Sequence, residues 1–318
     1  MIRLGLNVPN FGPGTTPATL RSWVQFAEET GFSLAMMSDH VAPTRDVTAL
    51  YPAPFYDPFT TLSWLASYTT CLSLGTSVAI LPYRHPLVTA RMSANLDQFT
   101  GGRFMLGVGV GWSEPEFGAL GVSFHERGRI TDEFLAVITR AWTKPSLSFT
   151  GDHVHFRAVA TGPAPVRHPG PPLWVGGMGE GAVRRAARFG DAWHAVNPGR
   201  DWLQNVALPR LADAAASLGK PTPRLSPRIK ARFTTHDLTR RDRPLGVGSL
   251  SQIGDDLVLL DRLGADTVVL DTNPDHPDQR QAAAGDWRTL RKIAEWAEDR
   301  GLLTSGSSRG YQPLHQGA

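Results

Sequence analysis

Cysteine is nearly absent: Cys71 is the single one in 318 residues. No internal disulfide can form, which excludes a disulfide-stapled secreted scaffold and makes a reducing cytoplasm the expected compartment. Cys71 falls at a helix-to-strand junction, where a packing role is expected. Long hydrophobic runs are missing as well. No uncharged apolar stretch reaches the ~18–20 residues of a membrane span. The segment MIRLGLNVPNFGPG lacks a basic region followed by an apolar core, so no secretory leader is expected in it. Charge of one sign is scarce: 32 Lys+Arg against 29 Asp+Glu leave +3. The basic clusters RRAAR (184–188) and TRRDRP (239–244) are each interrupted, unlike the dense stripe of a nucleic-acid footprint. A nucleic-acid partner is therefore not expected, and a small acidic ligand suits the charge equally well. Arg184 and Arg185 read as solvated helix positions. Neither GxSxG nor GxxxxGK[ST] occurs, which disfavours serine-acyl hydrolysis and nucleotide phosphoryl transfer.

What is present is alternation. Short apolar runs are expected to be strands at 2–8, 33–38, 72–81, 103–108, 172–176, 191–196, 228–234 and 265–270. Each is followed by an amphipathic stretch, at about 16–30, 58–69, 86–99, 127–143, 179–189, 201–218, 249–263 and 284–300. Eight strand-then-helix units in one α/β chain make a (β/α)8 TIM barrel, with one domain over residues 1–303. The runs are continuously apolar, as strands covered on both faces are. Alternation in FTGDHVHFRAV predicts a small hairpin inserted before strand five. Residues 235–248 read as a polar loop insertion after strand seven, and 304–318 as a disordered tail.

A barrel puts its active site at the carboxyl ends of the strands. That selects Asn7, Pro9 and Asn10; Asp39 and His40; Ser77; Gly109, Gly111 and Trp112; Gly176, Gly177 and Met178; Asn197; Arg232; and Asp271, Thr272 and Asn273. GVGVGW (107–112) is not a dinucleotide fingerprint, because its glycines are spaced GxGxG and no helix opens on them. Relief of crowding at the rim and close approach of a flat ring both explain these glycines. In WVGGMGEG a buried strand runs through Gly176 and Gly177 straight into a helix, and bare helix-start amides make a phosphate site. His40 suits proton transfer near neutral pH, with Asp39 placed to orient it. His153 and His155 share one strand face but lack a third ligand, so no metal is expected.

The blocks MMSDHV, LGTSVAILPYRHPLVTARMSANLDQFTGGRFMLGVGVGWSEPEFGALG, FHERGRITDEFLAVITRAW, FTGDHVHF and PPLWVGGMGEGAVRRAARFGDAWHAV together resemble the luciferase-like monooxygenase superfamily. They resemble most its actinobacterial branch that uses the deazaflavin coenzyme F420. The resemblance spans about residues 1–200 and fades toward strand eight. It implies a (β/α)8 barrel, a homodimer, and a flavin or deazaflavin lying across the carboxyl-end mouth. It implies a non-proline cis peptide at Ser77-Val78 behind the ring, ring contacts from Asp39 and His40, and Gly109, Val110 and Gly111 along the cofactor. It also implies phosphate binding by Gly176, Gly177 and Met178. Two departures bear on mechanism. Related sugar-phosphate and alcohol dehydrogenases carry a Trp shortly after the His, where Thr44 and its neighbours offer none. They carry a catalytic Glu where this chain has Trp112, so their alcohol-oxidation roles do not transfer. Glu114 and Glu116 read as surface or helix-start charges.

The reading reached from the sequence is an oxidoreductase moving hydride between F420 and a small organic substrate, with His40 donating or accepting a proton. A reduced-FMN monooxygenase using O2 is the alternative, and a non-catalytic flavin-binding barrel is the alternative of another class. The loops at 42–57 and 235–248 are expected to set the substrate.

Overall fold

The computed structural model describes residues 1–239, 242–280 and 282–303. Eight strands carry the fold: β1 (Arg3–Val8), β2 (Leu34–Met37), β3 (Ser73–Thr76), β4 (Phe104–Gly109), β5 (Leu173–Gly176), β6 (Ala192–His194), β7 (Arg228–Lys230) and β8 (Thr267–Asp271). They pair in parallel in the order β6-β5-β4-β3-β2-β1-β8-β7. The sheet is curled, and its two ends exchange hydrogen bonds. Arg228 N donates to Ala195 O at 2.8 Å, and Asn197 N donates to Arg228 O at 2.7 Å. Every residue of β2, β3, β4, β5, β6, β7 and β8 is buried, as the continuous apolar runs require of strands covered on both faces.

Eight helices alternate with the strands: α1 (Pro17–Glu29), α2 (Pro58–Leu65), α3 (Pro86–Phe99), α4 (Arg127–Thr143), α5 (Glu180–Phe189), α6 (Leu208–Ser217), α7 (Leu250–Arg262) and α8 (Ala283–Asp299). Their ends follow local chemistry. Thr16 caps α1 in a reciprocal box with Thr19, ahead of Pro17, whose missing N–H costs nothing at a first turn. Ser249 and Gln252 make the same box at α7. In α4 the buried Ile130, Phe134, Val137, Ile138 and Ala141 recur at three and four residues and join the hydrophobic core.

The structure departs from the sequence expectation in several places. Strand three, expected over 72–81, stops at Thr76; the Ser77-Val78 peptide is cis, and pairing resumes at Ala79–Ile80 against β4. Strand seven ends at Lys230, and Arg232–Phe233 leaves to pair in parallel with Val247–Gly248, which frames the insertion. The helix expected over 201–218 is broken into Arg200–Trp202, a π turn at Leu203–Ala207, and α6. Pro209 in the first turn of α6 has no N–H to continue an α ladder from the preceding turn. The expected hairpin forms from Ser146–Thr150 and His155–Ala160; Glu133 of α4 accepts from the turn amides of Asp152, His153 and Val154. Arg185 is buried rather than solvated and donates to Asp132 at 2.6 Å. Cys71 is exposed, so it is no packing residue. Residues 304–318, read as a tail, lie outside the described residues. No helix among the described residues is long and apolar enough to cross a membrane.

Candidate active site

The carboxyl edge of the sheet gathers the polar side chains. His40 follows β2 and is 7% exposed; Asp39 is 3% exposed. The sequence suggested that Asp39 orients His40, and the structure corrects this. Asp39 turns to Arg84, which donates to both its carboxylate oxygens at 2.6 and 2.9 Å, and it accepts the Ile80 amide at 2.9 Å. Arg84 also reaches Asp57 at 2.7 Å, and these carboxylates hold its guanidinium above its ordinary range even though burial opposes this. Asp39 thus ties the end of β2 to the segment after β3.

The carboxylate beside His40 is Glu116, expected from the sequence as a surface or helix-start charge: it does stand at a helix start, but not on the surface. It lies in the short helix Glu114–Ala119, within the loop after β4, and is wholly buried. Its Oε2 is 2.6 Å from His40 Nδ1 and accepts from Tyr83 OH at 2.9 Å. Its Oε1 accepts the amides of Val41 and Ala42 at 2.8 and 2.9 Å. Burial alone would raise its pKa, but the His40 and backbone bonds hold the carboxyl below its usual range. Burial and the Glu116 charge push the Tyr83 phenol up. The available signal was the spacing in SEPEF: Ser113 accepts from Glu116 N as a helix cap, and a cap at Ser113 places a third-position Glu.

Aromatic rings enclose His40. Tyr51, Phe55 and Trp112 lie with ring centroids 5.6, 5.4 and 5.8 Å from the imidazole. Phe11 stacks on Phe55 at 5.4 Å and joins the loop after β1 to the 42–57 loop. Burial pushes the Tyr51 phenol up, with Arg228 and Asp271 close enough to act on it electrostatically.

Inside the sheet a polar chain crosses from β3 to β6, β7, β8 and β1. Arg228 donates to Asp271 Oδ2 at 2.7 and 3.1 Å and to Ser77 O and Oγ at 3.0 and 3.2 Å. Ser77 Oγ lies 2.9 Å from His194 Nε2, and His194 Nδ1 donates to Ser226 O at 2.6 Å. Burial drives the His194 pKa down to about 4, with Arg228 adding to the effect, so the ring is neutral at pH 7 and Nε2 accepts from Ser77. Asn7 donates to Asp271 Oδ1 at 3.3 Å. Asn7, Ser77 and Asp271 were anticipated. Arg228 and His194 were missed, although the period-two basic residues of RIKAR pointed one face of strand seven inward. Arg232, the residue chosen on that strand, lies outside this chain and pairs with Asp275 at 3.2 Å. Lys230 donates to Asn273 O at 2.8 Å.

The rim glycines have a packing reason. The Val78 side chain lies between β4 and β5, and a Cβ on Gly109 or Gly176 would come within 2.6 or 2.8 Å of its methyls. Gly111 has φ +79, and a side chain there would meet Ile80 and Phe117. Crowding is thus present at these positions, and Val110 is half-buried beside them. Gly177 has φ +115 and Met178 is half-buried against the core. The open backbone comes just after them. No side chain caps α5, and nothing lies within 4 Å of a Cβ built on Gly179 or Gly181. Bare amides at a helix start with no side chain in the way fit a phosphate. Two buried amide oxygens at the edge, Asn7 Oδ1 and Asn10 Oδ1, have no protein partner and suit a bound donor. These features fit a phosphorylated ring cofactor. No three His, Cys, Asp or Glu side chains converge as a metal site among the described residues.

Comparison with known proteins follows the same lines. The chain is 33% identical over 181 residues to the FMNH(2)-dependent dimethylsulfone monooxygenase of Pseudomonas putida, covering 56% of this chain and 48% of that one. It is 32% identical over 224 residues to the F420-dependent glucose-6-phosphate dehydrogenase of Beutenbergia cavernae, covering 68% and 63%. The chain thus spans about half to two thirds of these curated relatives. The solved structure of monooxygenase RslO1 from Streptomyces bottropensis superposes with a TM-score of 0.74 over 94% of this chain and 100% of that one, at 22% identity, and so shows the fold. The family model described as luciferase-like monooxygenase matches residues 3–243, and the chain belongs to the luciferase-like monooxygenase family.

Proposed function

We propose that the chain is an oxidoreductase that moves a hydride between coenzyme F420 and a small organic substrate. The observation that carries this reading is the shared carboxyl edge of His40 and the bare amides of α5, one fitted for proton exchange and the other for phosphate. When bound, the deazaflavin supplies the hydride chemistry at its ring. The amides around Gly179 and Gly181, with Gly176, Gly177 and Met178 before them, would hold its phosphate. Asp39, His40, Ser77, Val78, Gly109, Val110 and Gly111 would line its ring. His40 then gives or takes the proton that accompanies hydride transfer, while Tyr51, Phe55 and Trp112 keep water from the imidazole. The same reading includes a closed (β/α)8 barrel over residues 1–303, a homodimer and a cytoplasmic location.

The second reading is a reduced-FMN monooxygenase, favoured by the 33% identity to the dimethylsulfone enzyme. Fluorescence titration of the purified protein with F420 and with FMN separates the two. Tighter F420 binding, with turnover that persists without oxygen, is expected. Preference for FMN with oxygen-dependent turnover would overturn the first reading. His40→Ala is expected to bind cofactor but lose turnover, and a variant working at the wild-type rate would remove His40 from the mechanism.

A further inference from the structure

We propose that Glu116 is the positioning residue of this site: it fixes His40 as the Nδ1-protonated tautomer and leaves Nε2 as the only atom that exchanges a proton. The tautomer follows from the donors around the carboxylate. An ionised carboxylate only accepts. The Val41 and Ala42 amides can only donate, and they occupy Oε1. Tyr83 keeps its proton, because burial and the adjacent negative charge both raise its phenol, so its O–H donates to Oε2. The remaining neighbour of Oε2 is His40 Nδ1 at 2.6 Å. Three donors of fixed sense around a carboxyl held below its usual range leave no room for a proton on Glu116. The Nδ1 proton therefore belongs to the imidazole. His40 Nε2 makes no hydrogen bond among the described residues, so it carries either a bare lone pair or the transferable proton.

The orientation is over-determined. The two amides that bind Oε1 belong to the residues immediately after His40, so one carboxylate grips both the imidazole and the backbone that presents it. Ser113 holds the other side, accepting from Glu116 N at 3.2 Å and lying 3.2 Å from Thr44 Oγ1. A short helix after β4 and the loop after β2 are joined through this carboxylate. The ring cannot turn over without giving up the 2.6 Å contact, and the aromatic walls of Tyr51, Phe55 and Trp112 oppose the motion.

Glu116→Gln tests the assignment sharply. The two amides require an acceptor, so the new side chain must place its oxygen toward Val41 and Ala42 and its NH2 toward His40 Nδ1. Nδ1 then has to accept, and the imidazole must adopt the opposite tautomer with its proton on Nε2. Nitrogen-15 spectra of histidine-labelled, cofactor-free protein read this directly, with the His40→Ala spectrum assigning the resonances. The expected result, read at a pH where the imidazole is neutral, is a protonated Nδ1 and a bare Nε2 in the unmodified protein, exchanged in Glu116→Gln. Tyr83→Phe, which keeps the carboxylate, should leave the tautomer as it is. A proton on Nε2 with none on Nδ1 in the unmodified protein overturns the proposal even where Glu116→Gln does not fold, and so does an unchanged tautomer in the folded variant.

The catalytic consequence rests on the function proposed above. With His40 presenting the wrong nitrogen state, kcat should fall by about 10²-fold or more while KM for the cofactor stays within a few-fold. An unaltered kcat in a variant with the exchanged tautomer overturns the positioning role. An unmodified protein that turns over neither cofactor overturns the function instead, and the tautomer result stands apart from it.

Discussion

The fit of Val78 between two glycines can be tested energetically with a double-mutant cycle. Gly109 has an ordinary backbone conformation, so Gly109→Ala meets no φ penalty and by itself would stabilise by about 0.4–1 kcal/mol through the unfolded chain. Against this, the new Cβ would lie 2.6 Å from Val78 Cγ2, about 1 Å inside normal contact between carbons. Overpacking of this kind costs about 1–3 kcal/mol. The net expectation is a loss of about 1–2 kcal/mol, read as a lower urea midpoint at unchanged slope. Val78→Ala removes two methyl groups and, because Val78 is only half-buried, costs roughly 0.5–1 kcal/mol by area alone. In the double variant the missing methyls make room for the added Cβ, so the two losses should not add. A coupling of about 1–2 kcal/mol in the rescuing direction is expected. Additivity within about 0.5 kcal/mol would refute the packing account of the glycine and favour a role in ligand approach. Gly107 supplies a control: its Cβ would collide with the backbone oxygen of Thr76, which no side-chain deletion removes, so Val78→Ala should not rescue Gly107→Ala.

Three further outcomes are expected. Gly179→Asp adds an N-cap acceptor and a negative charge at the bare start of α5, so thermal stability should hold or rise while F420 affinity falls by about tenfold; equal affinity would place the phosphate elsewhere. Arg84→Met leaves Asp39 buried without its partner and should cost about 3–5 kcal/mol, whereas breaking the exposed Arg210–Glu180 pair should cost under about 1 kcal/mol, both by urea denaturation. His194, held at about 4 against about 6.5 in the unfolded chain, binds its proton more readily when unfolded. Its contribution is therefore full above pH 6.5 and is lost as pH falls toward 4, and the difference in stability between wild type and His194→Gln should slope across that window. A flat difference would show that the ring is not held neutral.

The scaffold was legible because its signals are local. The boundaries of α3 at Pro86–Phe99 follow from the His85 cap, Pro86 and the Gly101-Gly102 stop, and those of α4 at Arg127–Thr143 from its apolar period, signals that neighbouring residues carry in order along the chain. Strand three was overextended because LGTSVAIL is uncharged throughout and mostly apolar, and composition does not register a change of backbone path. The site was half legible. His40, Asp39, Ser77, Asn7 and Asp271 were found by assuming that strand ends converge, but the partnerships among them were not. Asp39 adjoins His40 in sequence yet binds Arg84, because successive residues leaving a strand point to opposite sides. Glu116 lies 76 residues from His40, and its third-position spacing from Ser113 marks a helix start without marking His40 as its partner.

The sequence by itself determined eight strand–helix units, the edge of the sheet where polar residues collect, and the absence of disulfide stapling. Periodicity, caps and composition act within a turn or two of the chain, and that range suffices for those properties. Only the tertiary structure decided which carboxylate serves His40, that Val78 fills the notch left by Gly109 and Gly176, and that Arg228 and His194 join Ser77 and Asp271 across the interior. Those choices depend on which strands become neighbours when the sheet curls, and pairing between distant segments is set by global packing rather than by any local pattern.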